Sequence, residues 1–305
     1  MPKSKANKTT DVEATEKPGT GSSLSRMLSV LELFTLERPA WTIEDIATSM
    51  GFTLSSAYRY VRELGNAGLL TSVGRGKYVL GTRIIELDRQ ISLCDPVEQA
   101  GRAVAVDVMD QVTTGGVLIC ALRGDHMVTL YSDKRPQSLS LSRERGRTAS
   151  LFRGAPAKAM LAQLSSRRLS RLYLDNQDEI SATGLGDRWP EFQKAVAEMR
   201  KQRIVVTRRD FGLPYFAVGA PVFDGDDKVV ASISILVPDE LYAQPLIDKL
   251  SAVVTAAAQQ MNQRISDLVS ADVYGLAPDR MQTLTAHGPE PVSVSRQASL
   301  PARRS

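Results

Sequence analysis

Apolar and polar positions recur with helical spacing through residues 42–64, and the rest of the chain is organised around that stretch. Ile43, Ile46, Ala47 and Met50 fall at i, i+3, i+4 and i+7, on one face of a helix. Thr42 stands where a hydroxyl caps free N–H groups, and Glu44 and Asp45 favour the positive helix end. Gly51 suits the left-handed residue that ends a helix, Phe52 fills the corner, and Thr53 caps the next helix. There Ala57, Val61 and Leu64 form the inner stripe, with Ser55, Ser56, Arg59 and Arg62 outward. An earlier helix is predicted over 24–36, with Leu24, Met27, Leu28, Leu31 and Phe34 buried. Strand-like runs at 70–73 and 77–80 flank Gly74-Arg75-Gly76, a hairpin with a basic tip. Helix, helix, helix and hairpin in this order predict a winged helix-turn-helix, whose recognition helix enters the major groove by its N-terminal end.

Further along, helical spacing returns over 82–93, with Ile84, Ile85, Leu87 and Ile91, and over 97–112, with Val104, Val108 and Val112. Short β-rich runs are predicted at 116–122, 127–131, 148–152, 204–207, 215–223 and 229–237. Helices lie between them at 156–164, 166–174 and 191–202, and a long one at 239–268 closes the domain. This mixed order with hairpins predicts an α+β chain whose second half is an antiparallel sheet flanked by helices. The expected divisions are a disordered leader at 1–22, a DNA-binding domain at 23–81, a connecting helix at 82–94, a second domain at 95–270 and a disordered tail at 271–305.

A length of 305 residues is consistent with two domains, and a net charge of +4 means that nucleic-acid binding must come from local clustering. Residues 53–83 supply it, with Arg59, Arg62, Arg75, Lys77 and Arg83 against Glu63. Cations there displace counterions condensed on DNA. The DNA-contact candidates are Ser55, Ser56, Tyr58, Arg59, Arg62, Arg75 and Lys77. A second cationic run spans 134–171, with ten cations against Glu144, and fits a solvated face, a ligand entrance, DNA or an acidic partner. Two cysteines and two histidines make neither a disulfide framework nor a metal cluster. With a turn at Gly124-Asp125, Cys120 is expected near Thr129 and away from His126, as a buried thiol. No catalytic motif, membrane span or secretory signal is present, so a cytosolic non-enzyme without cofactors is expected.

Two features of the second half point to a ligand. Ser232 and Ser234 are two apart on one predicted strand and therefore share a face. Gly154-Ala155-Pro156 begins a helix, where free N–H groups favour an anion. The plainer reading is that neighbouring backbone satisfies the serines and that the turn only packs.

The runs LSRMLSVLELF, TIEDIATSMGFTLSSAYRYVRELGNAGLL and GRGKYVLGTRIIEL together resemble the DNA-binding half of the IclR family of bacterial transcriptional regulators. RGAPAKAMLAQL and FAVGAPVFDGDDKVVASISILVP resemble its GAF-like effector domain, more loosely. The resemblance implies that residues 82–94 link the two domains and that a small organic acid contacts Ser232 and Ser234. It also implies a polar wall at Asp210, effector contacts at Gly154 and Ala155, and dimers that pair into tetramers. A single winged module makes few contacts, so homodimers on a palindromic double-stranded operator are expected. The alternative is an effector-independent regulator, or a module whose winged domain meets a protein partner.

Overall fold

The computed structural model of the protein describes residues 22–135 and 144–273. The expected leader and tail therefore lie outside the described residues, except Ser22 and 271–273, which belong to helix ends. Arg143 of the second cationic run also lies outside them. The chain divides into two compact units between Leu93 and Cys94.

In the first unit α1 (Ser23–Leu28) runs into a 3₁₀ turn, Ser29–Leu33, instead of the continuous helix expected over 24–36. The Ser29 hydroxyl donates to the Arg26 carbonyl, 3.0 Å away, at the changeover. Tightening from about 3.6 to about 3 residues per turn changes which side chains face inward. Val30 is fully buried, whereas Leu24 and Leu28, expected inside, are 68% and 53% exposed. Next come β1 (Trp41–Thr42), α2 (Ile43–Met50), α3 (Leu54–Asn66), β2 (Leu70–Gly74) and β3 (Lys77–Leu80). The core is Val30, Ile46, Ala57, Val61 and Leu64 with neighbouring side chains, so α2 and α3 bury the stripes that their spacing predicts. Two-residue β1, unpredicted, pairs with β3 and turns the hairpin into a three-stranded sheet. Helix α4 (Arg83–Cys94) follows and buries no residue.

The second unit opens with α5 (Pro96–Gln111), capped by the Asp95 carboxylate on the Glu98 N–H at 3.0 Å. It continues through β4 (Gly116–Arg123), β5 (His126–Lys134), β6 (Thr148–Ser150), α6 (Ala155–Leu161) and α7 (Ser166–Asp175). After these come α8 (Gln177–Ala182), α9 (Trp189–Gln202), β7 (Val205–Arg208), β8 (Tyr215–Phe223), β9 (Val229–Pro238) and α10 (Gln244–Val273). The six strands form one antiparallel sheet in the order β6-β5-β4-β9-β8-β7. Alternation along the strands builds two cores. Val117, Ile119, Val218, Ile233 and Ile235 pack with α5 and α10. Leu118, Cys120, Ala217 and Leu236 pack with α6, α7 and α9. Sequence pattern missed α8, and it started the closing helix early, because 239–241 is a separate 3₁₀ turn.

Candidate functional site

On the winged unit, the caps place the candidate reading face. Thr42 Oγ1 accepts from the Asp45 N–H at 3.1 Å, Gly51 takes φ 64°, and Thr53 Oγ1 accepts from the Ser56 N–H at 3.3 Å. Ser55, Arg59 and Arg62 are exposed, and Tyr58 is 51% exposed. Ser56 is half-buried, and its hydroxyl accepts from that of Thr53 at 2.9 Å, so it serves the cap first. Arg62 leans on Glu63 at 3.2 Å, an exposed pair that screening leaves weak, so the guanidinium can be drawn to phosphate. The wing turns at Arg75 (φ 52°) and Gly76 (φ 70°) between Gly74 and Lys77, which are paired across the strands. That two-residue turn with both φ values positive is the tight hairpin type whose twist matches its strands. It sets Arg75 at the exposed tip and Lys77 at the exposed root.

In the second unit, register explains the surroundings of the two serines. Ser232 lies between Cys120 on β4 and Pro221 on β8, and Ser234 between Leu118 and Gly219. Both side chains are completely buried, and neither hydroxyl has a hydrogen-bond partner among the described residues. Two buried orphan hydroxyls two residues apart on one face are costly unless something completes them. Cys120 sits as expected, opposite Thr129 with Sγ and Oγ1 4.0 Å apart, while His126 is exposed and opposite Arg123.

Beside Ser234, the first turn of α6 rests on bare backbone: a Cβ at Gly219 would lie 3.0 Å from the carbonyl carbon of Ala155. Gly154, at φ 80°, precedes that turn. Its N–H donates to Asp210 Oδ2 at 2.9 Å, and the Ala155 N–H donates to Thr207 Oγ1 at 3.1 Å. The donors expected to be free for an anion are thus occupied by the chain's own side chains. Lys158 Nζ reaches the same Asp210 oxygen at 2.7 Å and is nearly buried. The structure brings Gly154 and Asp210 into direct contact, bonds Ala155 to Thr207, and adds Lys158 on Asp210; Lys158 and Thr207 are residues that sequence reasoning missed. A signal existed for both. Lys158 stands four after Gly154, one helical turn on, and Thr207 alternates in phase with inward Val205 on β7. Asp210 is itself held in place, since Arg208 and Arg209 just before it both pair with Asp239 at the end of β9. Chiefly through the Arg208 hydrogen bond, the Asp239 carboxyl lies below the usual carboxylate range.

Among the described residues, several cations of the second run are taken up by partners within the fold. Arg145 meets buried Glu98 at 2.6 Å, Arg135 the Val112 carbonyl at 3.1 Å, Lys158 meets Asp210, and Arg168 and Arg171 share Asp125. Among the described residues no cluster of His, Cys, Asp and Glu could hold a metal ion, and no helix is long and apolar enough to cross a membrane.

Comparison with known proteins follows the same division. Residues 23–74 match the family described as IclR helix-turn-helix domain, and residues 97–263 match Bacterial transcriptional regulator IclR C-terminal. The HTH-type transcriptional regulator KipR of Bacillus subtilis (strain 168) is 24% identical over 243 residues, covering 79% of this chain and 95% of that protein. A crystal structure of an IclR transcriptional regulator from Alicyclobacillus acidocaldarius superposes with a TM-score of 0.67 at 19% identity, covering 80% of this chain and 98% of that one. An IclR homologue from Microbacterium hydrocarbonoxydans, crystallised with 4-hydroxybenzoate, gives 0.62 at 19% identity, covering 80% of this chain and 99% of that one. At such identities the structural likeness is one of fold.

Proposed function

The chain belongs to the IclR family of bacterial transcriptional regulators, and on that premise we propose that it binds a specific operator under the control of a small organic acid. The observation that carries the effector half is the pair of buried, unpartnered hydroxyls of Ser232 and Ser234. A ligand carboxylate or hydroxyl completes them, Lys158 supplies a nearby cation, and Asp210, Gly154 and Ala155 form the adjoining wall. The homologue crystallised with 4-hydroxybenzoate supports an acid of that kind. Ser55, Ser56, Tyr58, Arg59 and Arg62 read the operator, while Arg75 and Lys77 hold its phosphates. Two copies bind a palindrome, and α4, with Ile85, Ile91 and Leu93 exposed, offers an apolar strip for pairing. An effector acts only by binding two arrangements of the protein unequally.

Calorimetric titration with small organic acids, 4-hydroxybenzoate among them, tests this against an operator gel shift. Ser232→Ala with Ser234→Ala is expected to lower effector affinity about ten- to hundredfold, from the loss of two hydrogen bonds, with operator affinity retained. Equal effector affinity in both proteins removes the serines from the site. A second reading, a regulator that senses no small molecule, draws support from the closed serines and the occupied Gly154 and Ala155 donors. Failure of every acid to bind, with operator binding intact, would favour it. Light scattering that finds a monomer at micromolar concentration with and without DNA would overturn the two-copy assembly.

A further inference from the structure

A cavity of about 440 Å³ opens between α10 and the last residues of β8, where Pro221 is the cross-strand neighbour of Ser232 but neither serine lines it. Its size is ordinary for a small-molecule site. Ile204, Pro221 and Phe223 give it an apolar side. Its polar groups are of two opposed kinds. The Gln163 amide nitrogen is buried and has no acceptor among the described residues. Asn262 Oδ1 already accepts from the Phe223 N–H at 2.9 Å, so its nitrogen is the end left to donate. Arg203, exposed at the C-terminus of α9, adds a cation to these donors. Against them stand the Asp227 carboxylate and Thr255, whose hydroxyl donates to the Ser251 carbonyl at 2.7 Å and so keeps its own lone pairs.

Arg203 and Asp227 share two further properties. Neither has an ion-pair partner among the described residues, and both hold left-handed backbone, each with φ 56°. Side chains seldom adopt that conformation unless local bonds fix it. Here the Arg203 N–H bonds the Met199 carbonyl and the Asp227 N–H that of Asp224, each at 3.2 Å. Two opposite charges, both solvent-exposed and without an ion-pair partner among the described residues, therefore stand at one cavity on locally fixed backbone.

We propose that this cavity is a second small-molecule site, for a zwitterion of amino-acid or dipeptide size with an apolar side chain. Its carboxylate meets Arg203 and the Gln163 amide, its ammonium meets Asp227, and its side chain lies on Pro221 and Phe223. A simple acid would meet the like charge of Asp227, and a simple amine that of Arg203, so both ends are needed. Helix α10, one wall of the cavity, shares a core with α5 through Val254 and Met261 against Val104 and Val108, and α5 follows α4 directly after Asp95.

Thermal shift followed by calorimetry on the full chain, with the standard amino acids and apolar dipeptides as probes, tests the assignment. At least one zwitterion is expected to bind, and its N-acetyl and amide derivatives are not. Arg203→Gly, which suits the left-handed backbone, and Asp227→Asn, which tolerates it, should each weaken binding about tenfold or more, the worth of a hydrogen bond to a charged group. Ser232→Ala with Ser234→Ala should leave it unchanged, which separates this site from the effector site. The proposal is overturned if no zwitterion binds, if the capped derivatives bind equally, if both charge variants bind as wild type does, or if the serine variant abolishes binding. Should Arg203→Gly fail to fold, Asp227→Asn and the capped derivatives decide alone.

Discussion

The recognition helix and the serine strand carry function in opposite ways. Helix α3 keeps its apolar stripe inside and displays its chemistry: Ser55, Tyr58, Arg59 and Arg62 face solvent, with only weak contacts such as Arg59 over the Tyr60 ring and Arg62 against Glu63. Strand β9 hides its chemistry, with Ser232 and Ser234 fully buried and unpartnered in a sheet that would pack as well without their hydroxyls. A surface group binds at no expense to stability, whereas a buried polar group weakens the fold until its ligand arrives. The contrast predicts which variants separate binding from folding.

The largest effect belongs to the displayed side. Arg59→Ala with Arg75→Ala is expected to weaken operator binding by roughly 2–4 kcal/mol, with Arg75 alone flattening the salt slope by about one unit. The melting temperature should not change, and a gel shift at two salt concentrations beside a thermal melt would break the contrast if stability fell as well.

On the hidden side, Lys158→Met strands the Asp210 carboxylate. Because that pair is partly exposed, with 11% and 21% side-chain exposure, a loss of roughly 2 kcal/mol in denaturant unfolding is expected. Adding Asp210→Asn should restore most of it, and a double-mutant cycle without coupling would mean that the pair is incidental.

The serines give the sharpest sign. Replacing both by alanine should raise stability by about 1–2 kcal/mol, since each orphan hydroxyl is removed with its desolvation penalty, while effector response falls. A destabilised serine variant would show that the hydroxyls support the fold.

The smallest effect is acid-dependent. A carboxyl with a depressed pKa contributes stability above its unfolded value, about 3.9, and loses it as pH falls through the folded one. Wild type should therefore exceed Asp239→Asn at neutral pH, the margin shrinking below about pH 4 in melts across that range.

The same contrast decides what could be read in advance. Local rules delimit α2 and α3, because Thr42, Gly51 and Thr53 act within a few residues of themselves. Even the Cys120–Thr129 pairing follows from one turn at Gly124-Asp125. Long-range pairing is silent in a single sequence. Asp210 is 52 residues from Lys158, and the order that places β9 beside β4 gives the serines neighbours that spacing cannot reveal. Leu24 and Leu28 misled because a helical period was extended across a turn that tightens.

The strand order has one more consequence. The sheet's longest strands, β5, β8 and β9 with nine, nine and ten residues, are interior in strand order, while its two borders are β6 with three residues and β7 with four. β6 pairs with His126–Val128 of β5 and β7 with Phe216–Gly219 of β8, and β7 ends in Arg208, a charge that discourages stacking. β9, an apolar strand paired with β4 on one side and β8 on the other, is thereby kept from templating open-ended assembly until partial unfolding uncovers it.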